Sequence, residues 1–258
     1  MLLDGAVGTE LERHGFPLRG PRWSAAAIDE APALLEEIHR SYVEAGAEVI
    51  TTATTCAHPW FVGERAAATI ERAVGIARAA IADAPRPVTI AGSLAMLPAS
   101  VDMPTRIREY AATAAALHSA GVDVLLFEAF TSTAELARAV EAAADVAGQR
   151  WLALVVREDG ATLTGDDPRG ALALPADAWL VHCCSVPAAA AALSGLRERG
   201  GAARLGAYPA RAADLPDATF AAELDALRQR FDLGIVGACC GSTPATIAAV
   251  GRGLAAAR

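Results

Sequence analysis

Short apolar runs rich in β-branched residues alternate along the chain with longer stretches whose apolar positions recur every three or four residues. The runs are Leu2-Leu3, Val49 to Thr54, Val88 to Ser93, Val122 to Glu128, Trp151 to Val156, Trp179 to Cys183, Arg204 to Tyr208 and Gly234 to Cys239. Their near-continuous apolar character predicts strands buried on both faces, as in a parallel sheet. Pro32 to Gly46 carries Leu34, Leu35, Ile38, Tyr42 and Val43 at helical spacing, with proline at the start and glycine at the end, which predicts a punctuated helix. Further helices are predicted from about Glu64 to Ala82 and over Thr105 to Ala120, Ser132 to Ala147, Pro187 to Arg199, Ala218 to Phe231 and Pro244 to Ala256. The fifth crossover, Asp166 to Leu174, is short and holds Pro168 and Gly170, so it is expected to be irregular.

Eight strand–helix pairs in 258 residues fit a (β/α)8 barrel of the TIM type. One domain spanning residues 1–258 is expected, with an open doubly wound sheet as the alternative. Chemistry in such a barrel lies where the loops after the strands converge. The unusual residues fall there: Asp4 after the first run, Glu128 at the end of the fourth, Cys183 at the end of the sixth, and Cys239 with Cys240 at the end of the eighth.

Composition narrows the function classes. The chain is 53% hydrophobic and only 5% aromatic, and all 22 basic residues are arginine against 30 acidic ones, a net charge of -8. Such a surface repels polyanions, and with no basic run nucleic acid is not an expected partner. No apolar segment reaches the roughly 20 residues of a membrane span and the N-terminus lacks a leader pattern, so no membrane association is expected and the protein is read as cytoplasmic. Five cysteines favour reduced thiols or metal ligands over a disulfide framework.

The thiols come in pairs. Cys239 and Cys240 sit in the frame Gly237-Ala238-Cys239-Cys240-Gly241-Ser242-Thr243-Pro244, and Cys183-Cys184 closes another apolar run. Adjacent cysteines rarely bond to each other, so a shared soft metal is the natural reading, against that of small buried hydrophobes. Three thiolates from two strand ends would make a zinc site with an open fourth position. A substrate thiol taking that position would be activated as thiolate. Asp4 and Glu128 suit a substrate ammonium group, and the backbone of Gly5, Ala6 and Val7 a carboxylate; Asp4 also suits an Asp-Gly turn, and Glu128 an ordinary ion pair. His182 reads as a ligand, a second-layer donor or a core histidine, His58 as a pocket-lining or structural residue, and Cys56 as a free thiol.

These residues resemble the zinc-dependent homocysteine S-methyltransferase family, which includes enzymes using S-methylmethionine or betaine. Asp4-Gly5-Ala6-Val7-Gly8-Thr9-Glu10-Leu11 resembles its opening block, Trp23-Ser24-Ala25 and Ile38-His39-x-x-Tyr42-x-x-Ala45-Gly46-Ala47 the next, and Gly121-Val122-Asp123 with Phe127-Glu128 the strand whose glutamate meets the homocysteine amino group. The Gly237–Pro244 frame resembles the family's G-G-C-C-G-T-x-P. In Val181-His182-Cys183 the histidine stands where the family has asparagine before its third ligand, with Cys184 as the register alternative. Departures lie elsewhere: Thr52-Ala53-Thr54-Thr55 lacks the usual polar–aromatic pair, the loop after Gly92-Ser93-Leu94-Ala95-Met96-Leu97-Pro98 is shortened, and Ala210 follows Tyr208-Pro209 in place of asparagine.

The resemblance implies Zn2+ held by Cys183, Cys239 and Cys240, with homocysteine as methyl acceptor. A small donor is expected, S-methylmethionine or S-adenosylmethionine in preference to methylfolate. A different thiol or selenol acceptor, a betaine-type donor, and a non-catalytic homologue that binds a thiol amino acid are the alternatives.

Overall fold

The computed structural model describes residues 1–200 and 203–256. Among them, seven parallel strands form one sheet in chain order: β1 (Val49–Thr51), β2 (Thr89–Ala95), β3 (Val124–Phe130), β4 (Gln149–Val155), β5 (Ala178–His182), β6 (Leu205–Tyr208) and β7 (Ile235–Val236). Helices cover the outside: α1 (Val7–Arg13), α2 (Ala27–Glu30), α3 (Pro32–Glu44), α4 (Pro59–Val62), α5 (Ala66–Ile81), α6 (Met103–Ala120), α7 (Thr133–Ala142), α8 (Val186–Gly200), α9 (Asp217–Phe231) and α10 (Pro244–Ala256). The fifth crossover is a 3-10 turn at Pro168–Ala173, the irregular link its Pro and Gly foretold.

Local chemistry sets the boundaries. Asp102 caps α6 by accepting from the Thr105 N–H at 3.0 Å, and Gly121 ends the helix in the left-handed region at φ 82°. Ser132 caps α7 through the Glu135 N–H. Each cap satisfies a terminal backbone group that the helix cannot pair internally.

Alternate residues of the strands feed two cores. The larger lies between sheet and helices and takes, for example, Leu125 and Phe127 of β3. The smaller lies on the inner face and joins Val49, Ala91, Val124, Leu126, Trp151, Leu180, Tyr208 and Ile235 with Leu3. A residue from every strand meeting in one cluster means that the sheet is curled on itself, with inner and outer faces set by the two-residue period.

Three expectations are corrected. Leu2-Leu3 is not a regular strand: Leu2 makes one parallel bridge with Val236 and Leu3 one with Val49. The last strand is confined to Ile235–Val236, because beyond it the chain turns to place Cys239 and Cys240 in a loop. The glycine-rich opening becomes helical from Val7, so only Gly5 and Ala6 separate Asp4 from α1.

Candidate active site

Cys183 follows β5 directly, in the left-handed conformation at φ 50°. Its Sγ lies 3.7 Å from that of Cys240, and Cys239 and Cys240 have their Sγ atoms 3.9 Å apart. All three lie within 4.8 Å of one another. Ligands about 2.3 Å from a tetrahedral metal stand about 3.8 Å apart, so the cluster has the spacing that a thiolate-bound ion requires. The donor set is soft, and three ligands leave a fourth position for another group. Cys184, which is buried, lies outside the cluster.

The thiols titrate together. Hydrogen bonds from Cys183 and Cys239 pull the Cys240 thiol far below its ordinary range, while the bonds with Cys183 and Cys240 push Cys239 well above it. One thiolate is stabilised by its neighbours and further ionisation is opposed, which is the charge that a bound cation offsets.

A single segment bridges the two thiol loops. Cys183 N–H donates to the Tyr208 carbonyl at 3.3 Å and Ala210 N–H to that of Cys184 at 2.9 Å, while Cys239 N–H donates to Pro209 at 2.8 Å and Arg211 N–H to Cys240 at 2.9 Å. Residues 208–211 are therefore a splint, hydrogen-bonded to one thiol loop on each side.

Asp4 and Glu128 face a cavity of about 100 Å3 that Cys239, Cys240, Trp23 and Tyr208 also line. Asp4 is buried, accepting from the Thr51 N–H at 2.8 Å and the Thr51 hydroxyl at 3.0 Å. Burial pushes its carboxyl from 3.8 up to about 8, with the charge of Glu128 adding to the effect. Glu128 accepts from the Ser93 hydroxyl and, at 3.0 Å, from that of Tyr208, and burial raises its pKa as well. Two desolvated carboxylates, one of them raised further by the charge of the other, provide a strong local preference for a cation.

The backbone aims Glu128. The register between β3 and β4 shifts between Phe127 and Phe130, and Ala129 adopts φ 58°. This bulge inserts one extra residue and turns the strand locally. His182, also buried, supports it by accepting the Ala129 N–H on Nε2 at 2.8 Å, and its ring stacks on Tyr208 with centroids 4.7 Å apart. Burial lowers the His182 pKa to about 4, so the ring is neutral and its Nδ1 carries the proton. His182 thus lies beside the thiols and outside the three-sulfur group.

The other candidates are distributed differently. The Ala6 N–H, expected to be open to a ligand, is taken by the Ser242 hydroxyl at 3.0 Å, while those of Gly5 and Val7 meet no acceptor among the described residues. His58 does not line the cavity: it is fully buried, with ring nitrogens 2.8 Å from the Thr113 hydroxyl and 2.9 Å from the Ala95 carbonyl. Cys56 is a free, half-buried thiol. Sequence reasoning passed over Thr51 and Ser242, whose hydroxyls fix Asp4 and Ala6. Both lie within blocks already singled out, but a lone hydroxyl in a strand or turn announces no partner.

The family model for homocysteine S-methyltransferases matches residues 1–254. The chain belongs to that family. Among solved structures it is similar to the metallated form of the homocysteine methyltransferase MmuM from Escherichia coli, with a TM-score of 0.82 at 27% identity over 98% of this chain and 95% of that one. Among curated relatives it is similar to homocysteine S-methyltransferase 4 of Zea mays, 47% identical over 53 residues, and to selenocysteine methyltransferase of Astragalus bisulcatus, 39% identical over 85. The aligned stretches cover 20% and 31% of this chain, and only 16% and 25% of those relatives.

Proposed function

We propose that this protein is a zinc-dependent methyltransferase that moves a methyl group from a small donor, S-methylmethionine or S-adenosylmethionine, to the thiol of homocysteine, forming methionine. The observation that carries this reading is the three-sulfur cluster at tetrahedral spacing beside the cavity holding Asp4 and Glu128. Family membership and the likeness to the metallated E. coli enzyme support it.

Cys183, Cys239 and Cys240 would hold Zn2+. A zinc ion so held lowers the pKa of a thiol in its fourth position and presents thiolate at neutral pH. Asp4 and Glu128 receive the amino group of the acceptor, and the free N–H groups of Gly5 and Val7 face its carboxylate. Ser93, Thr51 and Tyr208 keep the two carboxylates in place, so the acceptor sulfur is delivered to one position and the donor methyl has one line of approach.

The same reading treats residues 1–258 as one cytoplasmic domain whose partners are small molecules. Among the described residues no helix is long and apolar enough to cross a membrane. The bridges of Leu2 to Val236 and Leu3 to Val49 support an eighth stave that closes a (β/α)8 barrel.

The test is turnover: purified zinc-loaded protein is given homocysteine with each donor and methionine is quantified. Formation that disappears in Cys239→Ser supports the proposal. Homocysteine binding without turnover by any donor would leave a non-catalytic binder. The aligned selenocysteine methyltransferase favours one second reading, a selenol acceptor, so selenocysteine belongs in the same assay.

A further inference from the structure

The hydrogen bonds of Arg211 reach beyond the backbone of the splint. Its Nε donates to the Gly241 carbonyl at 3.0 Å, and Nη1 donates to the Ala212 carbonyl at 3.2 Å and to that of Leu215. The main-chain N–H of the same residue already holds the Cys240 carbonyl at 2.9 Å. One residue therefore grips two consecutive carbonyls, those of Cys240 and the glycine that follows it.

The grip is tight on the other side too. Gly241 is left-handed at φ 78°, and a Cβ there would lie 2.2 Å from the Arg211 carbonyl oxygen, so the loop turns directly against the Arg211 backbone. The guanidinium is largely buried and lies 3.4 Å from Asp217, which also accepts from the Thr246 hydroxyl. Asp217 begins α9 and Thr246 lies in the first turn of α10, so the side chain is braced by α9 and, through Asp217, by α10, while its Nε holds the thiol loop.

We propose that Arg211 is a positioning residue for the thiol cluster, fixing the Cys239–Cys240 loop at the distance from Cys183 that metal capture requires. This rests on reading the cluster as a metal site. Cys183 and Cys240 belong to different loops, and residues 208–211 are hydrogen-bonded to both. On the Cys183 side the splint uses backbone bonds alone. On the Cys240 side the guanidinium adds a third bond, placed on the residue next to the ligand. Groups that orient ligands without touching the metal typically contribute 10- to 100-fold to its affinity.

The test is zinc affinity by competition with a chromophoric chelator, together with the thiolate-to-cobalt absorption of the Co2+-loaded protein. Arg211→Met keeps the aliphatic stem and removes every side-chain donor. It is expected to bind zinc about 10- to 100-fold more weakly and to shift the cobalt spectrum, with Arg211→Lys intermediate. Arg228→Met, which loses only a contact with Asp225 on α9, is expected to match the wild type. A merely structural Arg211 would lower the melting temperature of the metal-free protein and leave both metal readouts unchanged; that result overturns the inference. If Arg211→Met is recovered unfolded, Arg211→Lys decides by the same criterion. Wild-type protein that fails to bind zinc would instead overturn the reading of the cluster itself, and this inference with it.

Discussion

The main-chain N–H of Ala129 donates to Nε2 of His182 at 2.8 Å, tying the end of β3 to the end of β5 past the intervening strand. Ala129 is the left-handed residue after Glu128, and Cys183, after His182, is left-handed as well. One hydrogen bond thus joins the two strained turns that present the carboxylate and the first thiol, where strain persists only because the surroundings hold it.

Replacing His182 by leucine leaves the Ala129 N–H without its acceptor in a partly buried place. A loss of about 1–3 kcal/mol is expected, read as a lower urea midpoint. His182→Asn still offers an acceptor, and is expected to lose less.

Metal content should divide the cysteines. Cys183→Ser, Cys239→Ser and Cys240→Ser are each expected to purify with little or no zinc, and dialysis of the wild type against a chelator to abolish methyl transfer until zinc is restored. Cys56→Ser and Cys184→Ser are expected to keep the metal, because neither sulfur belongs to the cluster. Elemental analysis of the purified variants reads the outcome.

Asp4 imposes a pH dependence whose sign follows from its raised pKa, about 8 against 3.8. The folded, ligand-free chain holds this proton more tightly than the unfolded chain does, so its stability falls as pH rises from about 4 to about 8. Asp4→Asn is expected to flatten that slope in denaturation series. An arriving ammonium favours the carboxylate, so binding of an amino acid expels the proton. Methionine, which brings no thiol to titrate, is expected to release close to one proton near neutral pH from the wild type and markedly less from Asp4→Asn, measured by calorimetry in buffers of different ionisation enthalpy.

Tyr208→Phe removes one of the two hydroxyls that hold Glu128. Loss of a hydrogen bond to a charged group, about 1.5–3 kcal/mol, is expected to raise KM for homocysteine roughly tenfold or more, with a smaller change in kcat. Steady-state kinetics with the donor saturating separates the two.

Much of this was written in the pattern of the chain, and what was not has identifiable causes. The alternation of buried strands and helices was legible because each strand is covered on both faces and each helix carries a single apolar stripe. Cys239-Cys240 was legible because two thiols in a glycine frame serve few purposes. The bulge at Ala129 was not, since alanine fits any strand and only the register with β4 reveals the extra residue. Nor was the splint: four backbone hydrogen bonds leave no mark on the side chains of residues 208–211. Nor was the pairing of the Ala6 N–H, because its partner, Ser242, lies 236 residues away.

That separation bears on how the cavity is assembled. Asp4 precedes every strand of the sheet and Cys240 follows the last of them, yet both face one cavity. The two meet only when the whole sheet between them has curled. Loss of the segment beyond β7 would remove two of the three clustered thiols and one wall of the cavity together, so the thiol cluster and the cavity stand or fall as one.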